Sequence, residues 1–179
     1  MKGRHVLVGV TGGIAAYRAA DLVSKMVQQG VEVAVVMTAS AQRFVTPLTF
    51  ETLSRRAVYT DMWHAPEDYK PTHISLTEWA DLVLVAPATA NIIGKMANGI
   101  ADDLLSTLLL TEDAPIVLAP AMNTRMWENR VVQENVRRLT ELGCRIIEPG
   151  EGYLACGTVG KGRLAAVSDI IDTVASLLA

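Results

Sequence analysis

The chain has only two cysteines in 179 residues, Cys144 and Cys156, and their spacing fits neither a disulfide framework nor a zinc site. Runs of lysine or arginine are also missing. The formal net charge of -3 is spread along the chain, which argues against the electrostatic footprint of a nucleic-acid binder. No apolar stretch approaches the roughly 20 residues that span a bilayer, so no membrane partner is expected. At the N-terminus, MKGRHVLVGVTGG places basic residues before an apolar run, but Gly12-Gly13 and Arg18 interrupt it before the core of a signal peptide develops. These absences predict a cytoplasmic protein with two free thiols, no metal and a small-molecule partner.

What the sequence does have is apolar residue, half of the total, enough for one domain over 1–179 with a substantial core. HVLVGV at 5–10, VEVAVVM at 31–37, DLVLVA at 81–86 and PIVLA at 115–119 are mostly rich in β-branched residues without clean polar alternation. Such runs predict parallel strands covered on both faces, with CRII at 144–147 as a fifth. Helical patterns lie between them. One carries Ala15, Ala19, Leu22 and Met26 opposite Arg18, Asp21, Lys25 and Gln28, and Gly30 stops it. A second carries Val132, Val136, Leu139 and Leu142 before Gly143, and a third Val167, Ile170, Ile171, Val174 and Leu178. Alternating strands and helices predict an α/β fold, a single Rossmann-like domain with a doubly wound parallel sheet flanked by helices. Residues 57–77, with Pro66 and Pro71, read as a loop or flap.

Ligands of such a sheet bind beyond the carboxyl ends of its strands, which here read GVTGGIAA, MTAS, APATANI and APAMN. Gly9-Val10-Thr11-Gly12-Gly13 opens a helix, where backbone N–H groups and the helix dipole favour an anion. The segment equally suits a tight turn that needs glycine. It is not a dinucleotide fingerprint, because the G-x-G-x-x-G spacing is absent, and it lacks the lysine of a nucleoside-triphosphate loop.

Four motifs occur in order: GGIAAY, a histidine ahead of the strand in HISLTEWADLVLVAPATAN at 73–91, PAMNTRMW at 120–127, and LACG at 154–157. Over about residues 5 to 175 they resemble the flavin-containing cysteine decarboxylases. The resemblance implies FMN as cofactor, with Gly12, Gly13 and Ile14 lining the flavin from the first loop. Thr38, Ala39 and Ser40 match a second flavin segment, Thr89, Ala90, Asn91 and Ile92 a third, and Ala121 a further contact. Ser40 and Thr89 suit phosphate or ribityl contacts, and both positions also suit helix N-caps. His73 matches the active-site histidine, whereas His5 and His64 match nothing in the family pattern. Asn123 matches the asparagine that holds the substrate carboxylate, although an N-cap is the alternative. Met126 and Trp127 read as packing residues or as a wall of a neighbouring subunit's site. Tyr153, Leu154 and Ala155 match a clamp over the substrate, with glycines at 152, 157, 160 and 162 available for its movement. Cys156 falls on the proton donor, and the residue-level alternative is a small buried thiol, the reading kept for Cys144.

The chemistry implied is oxidation of a cysteine thiol by flavin, which places a thioaldehyde β to the carboxylate and lets CO2 leave. His73 would take the thiol proton and Cys156 would return a proton to carbon. Relatives that act on peptide C-terminal cysteines stop at the enethiol and need no such donor. LACG therefore points to decarboxylation of 4'-phosphopantothenoylcysteine to 4'-phosphopantetheine in coenzyme A biosynthesis. The resemblance also implies a homo-oligomer, a trimer or multiple of trimers, and a synthetase half either fused or separate. Competing readings are a flavin-binding regulatory subunit, a peptidyl-cysteine decarboxylase and a flavin prenyltransferase. Asp102-Asp103-Leu104 departs from the family's usual Asn-Asp-Leu and leaves that flavin-side contact open.

Overall fold

The computed structural model describes residues 1–63, 71–155, 157 and 159–179. Five apolar runs form the parallel strands β1 (His5–Val10), β2 (Glu32–Met37), β4 (Leu82–Ala88), β5 (Ile116–Pro120) and β6 (Arg145–Ile146). A two-residue strand, β3 (Val58–Tyr59), adds to the edge of β2, and the six-stranded order is β3-β2-β1-β4-β5-β6. Every ladder in this sheet is parallel. The order reverses between β1 and β4, which creates a crevice at their carboxyl ends.

Burial on both faces explains the strand sequences. All seven residues of β4 are buried, and each Val or Leu of that run contributes roughly 1.5–3 kcal/mol of burial free energy. Side chains alternate between two apolar layers. Val6, Val8 and Val10 pack with Leu22 and Met26 of α1 (Ala16–Gln28) and with Ile170 and Val174 of α8 (Val167–Leu177). Leu7, Val83 and Val85 pack on the other face with α4 (Ala90–Ala97), α5 (Leu104–Thr111) and α7 (Arg130–Glu141). Gly30, in the left-handed region at φ 81°, follows α1 as its stop.

Three parts of the sequence reading are corrected. Residues 57–77 are not a continuous loop: β3 lies within them and α3 (Thr72–Trp79) begins behind Pro71, while the part of that reading at 64–70 lies outside the described residues. α3 buries only Leu76, too little apolar periodicity to show in the sequence. The glycine-rich stretch near 150–163 contains a second, antiparallel sheet of β7 (Gly150–Tyr153) and β8 (Val159–Arg163). Leu142 is not on the buried face of its helix; it is the C-cap residue of α7 and is 69% exposed. The short helices α2 (Pro47–Ser54) and α6 (Thr124–Trp127) complete the elements. Among the described residues, no helix is long and apolar enough to cross a membrane.

Candidate active site

The crevice is built by close approach of loops. Thr11, just after β1, is 2% exposed; its Oγ1 donates to the Pro87 carbonyl at 2.6 Å and accepts from the Thr89 N–H at 3.2 Å. This one hydroxyl ties the loop after β1 to the end of β4. A Cβ on Gly12 would overlap the Cβ of Ser40, so that glycine is required for the loops after β1 and β2 to touch. Thr38 Oγ1 accepts from the Ala41 N–H at 3.2 Å and turns the chain after β2.

The N-cap readings of Ser40 and Thr89 hold for position only. Ser40 precedes the 3₁₀ turn Ala41–Arg43 and Thr89 precedes α4, yet neither side chain caps its helix. α1 also starts without a side-chain cap, at Ala15. Three helical starts therefore converge on the crevice, none of them capped by the side chain of its own N-cap residue.

The resulting cleft has a volume of about 1000 Å³. It brings together Gly12, Gly13, Ile14, Thr38, Ala39, Ser40, Thr89, Ala90, Asn91, Ile92 and Ala121, along with Asn123 and Tyr153, Leu154 and Ala155. Asn123 is also the N-cap of α6, its Oδ1 accepting from the Arg125 N–H at 2.9 Å. The N-cap reading holds, and the residue also lines the cleft. Met126 lines the cleft and is 47% exposed, whereas Trp127 is buried in the core and only packs.

The β7–β8 hairpin is fastened to this wall. Met122 N–H donates to the Gly162 carbonyl at 2.9 Å, and a Cβ on Gly162 would overlap the Met122 carbonyl oxygen. A Cβ on Gly160 would meet Thr124 Oγ1. At these two positions the missing side chain permits contact rather than movement, which corrects the expectation of a glycine hinge there. Leu154 is buried at the tip of the hairpin and Tyr153 is 71% exposed.

Sequence reasoning missed Lys95, Arg18 and Arg163, which line the cleft together with Asp103. Lys95 stands one helical turn after Asn91 on α4, a spacing that could have revealed it. Its Nζ lies 2.6 Å from Asp102 Oδ1 and 3.0 Å from Asp103 Oδ2. Burial works to lower the Lys95 pKa, but hydrogen bonds and charge from the two carboxylates outweigh it and raise the pKa overall. The hydrogen bond from Lys95 in turn holds the Asp102 carboxyl below its ordinary value. Asp103 also caps α5, accepting from the Ser106 N–H at 2.8 Å in a capping box. The departure at Asp102-Asp103-Leu104 is thus a lysine anchor beside a helix cap.

One anticipated residue, His73, is not brought into this cleft. His73 lies on α3, and α3 contributes no residue to the lining. Cys156 lies outside the described residues. Cys144 is a free, half-buried thiol packed against the α4–α5–α7 layer, and burial raises its pKa. Among the described residues no group of side chains could hold a metal ion.

Comparison with known proteins fits this geometry. Over 171 residues the chain is 54% identical to the coenzyme A biosynthesis bifunctional protein CoaBC of Bacillus subtilis, covering 96% of this chain and 42% of that protein. The chain thus spans less than half the length of the bifunctional relatives that it matches. It is 40% identical over 173 residues to a probable phosphopantothenoylcysteine decarboxylase of Streptococcus mutans, with 96% of this chain and 97% of that protein covered. A solved mutant PPC decarboxylase complexed with pantothenoylaminoethenethiol matches with a TM-score of 0.89 at 33% identity, 99% of each chain being covered. The FMN binding protein AtHal3 matches with a TM-score of 0.84 at 33% identity, over 98% of this chain and 96% of that one. The Flavoprotein family pattern matches residues 1–179, and the chain belongs to the Flavoprotein family.

Proposed function

We propose that the chain binds FMN in this cleft and decarboxylates 4'-phosphopantothenoylcysteine to 4'-phosphopantetheine, a step of coenzyme A biosynthesis. The observation that carries this reading is the convergence, in one cleft, of the uncapped helical starts with Asn123 and the Tyr153–Ala155 tip. Its volume of about 1000 Å³ lies at the top of the ~300–1,000 Å³ range of small-molecule sites, which gives room for a cofactor and a substrate together.

The donor set fits FMN. Ser40 and Thr89 hydroxyls with first-turn amides suit a phosphate, and Ile14, Ile92 and Leu154 supply apolar walls for a flat ring. Bound there, FMN supplies a two-electron acceptor for the substrate thiol. Asn123 orients the substrate carboxylate through a neutral amide, which avoids the strong ion pair that would stabilise the charge lost with CO2. Leu154, buried at the hairpin tip, excludes water from the same end. His73 serves as base for the thiol proton, and Cys156 as the acid that delivers a proton to carbon, a role that rests on the LACG motif.

α3 contributes no residue to the cleft lining, which supports a reading in which a second copy of the chain brings His73 to it. Exposed apolar side chains around the cleft support this reading: Ile14 is 58% exposed, Tyr17 62% and Tyr153 71%. The assembly is a homo-oligomer, a trimer or a multiple of trimers. A synthetase partner, fused or separate, follows from the bifunctional relatives. The reading is tested by denaturing the purified protein and identifying the flavin released. FMN at one per chain is expected; FAD, or a colourless protein that FMN does not reconstitute, contradicts it.

A further inference from the structure

Three cationic side chains line the cleft, and they are not equivalent. Lys95 is neutralised by Asp102 and Asp103. Arg18 and Arg163 take part in no ion pair among the described residues. Both belong to the hairpin end of the cleft. Arg18 Nη1 donates to the carbonyl of Leu164, the residue after Arg163, at 2.9 Å. The Arg163 side chain runs beside β7, where even a Cβ on Gly152 would come within 3.4 Å of Nη1. Two uncompensated guanidinium groups thus flank the end of β8.

We infer that Arg18 and Arg163 form a phosphomonoester subsite that selects the phosphorylated substrate over its dephosphorylated form. This deepens the decarboxylase reading and rests on it for the identity of the ligand. A guanidinium suits a phosphomonoester, whose dianion accepts paired N–H donors and stays charged throughout the reaction. It suits the substrate carboxylate poorly, because an ion pair would stabilise the very charge that decarboxylation removes. The carboxylate therefore falls to neutral Asn123, and the arginines to the phosphate. The Arg18 guanidinium is already oriented by the Leu164 carbonyl, so little freedom is lost when the anion arrives.

The test uses the FMN-loaded, full-length protein and needs no turnover. 4'-Phosphopantetheine and pantetheine are titrated by calorimetry into the parent, Arg18→Gln, Arg163→Gln and Arg163→Lys proteins, and FMN affinity is measured for each. The parent should bind the phosphorylated ligand at least about tenfold more tightly. Either glutamine variant should lose most of that preference at unchanged FMN affinity, and the lysine variant should recover part of it. Equal binding of the two ligands by the parent overturns the inference, as does a preference that survives in both glutamine variants. Equal weakening of both ligands assigns the arginines to some other group and also overturns it. Lost FMN affinity with the preference intact assigns them to the cofactor's phosphate, with the same result. Release of CO2 from 4'-phosphopantothenoylcysteine by the parent is scored separately, so failure of the decarboxylase reading is distinguishable from failure of the subsite.

Discussion

The two thiols of this chain are assigned opposite fates by their surroundings. Cys144 packs against apolar side chains, and burial keeps its proton on sulfur. It is neither nucleophile nor acid for anything in the cleft. Cys156 is assigned its role by LACG, in a chain whose proposed product is a saturated thiol. Cys144→Ser should therefore leave turnover close to the parent rate. Cys156→Ser should still release CO2 but stall with an oxidised enethiol in place of 4'-phosphopantetheine, as mass spectrometry of the products would show. Parent-rate formation of 4'-phosphopantetheine by Cys156→Ser would reassign the proton donor.

At the scale of elements, α3 has the weakest local support of any that matters to the proposed chemistry. It starts at Pro71 without a side-chain cap and buries Leu76 alone. Its far end is held by Trp79, whose ring stacks on His5 at 4.7 Å with Arg56 5.2 Å away on the ring. Trp79→Ala should cost about 1–2 kcal/mol of stability in urea unfolding. It should lower CO2 release more than FMN affinity, because α3 carries His73 and contributes nothing to the cleft. Equal effects on both, or none on either, would separate α3 from the reaction. Such elements are the ones hardest to see in a sequence. β1, β2, β4 and β5 were legible because burial on both faces makes their residues continuously apolar. α1 and α8 were legible through their one-sided stripes. α3 shows no stripe, and the β7–β8 hairpin is written in glycines whose reason is contact with Met122 and Thr124, chain segments distant in sequence. The flavin-side residues were legible because each follows a strand. Lys95, Arg18 and Arg163 were not, since only the folded chain shows that they face the same cleft.

For the whole molecule, the proposal is that a second copy completes the site. His73→Asn and Asn123→Asp proteins should each be inactive, the second because it sets a carboxylate against the substrate's own. Mixed oligomers made by refolding or co-expressing the two should regain activity, because some cleft then pairs an intact Asn123 with an intact His73 from its neighbour. No recovery in oligomers shown to be mixed would place both residues in one copy. The most direct measurement of the central claim is simpler. The FMN-loaded parent is incubated with 4'-phosphopantothenoylcysteine, and CO2 and the organic product are quantified together. The account predicts one CO2 for each 4'-phosphopantetheine formed, over many turnovers and without added oxidant or reductant. No CO2, or a single turnover that ends in an enethiol, would contradict it.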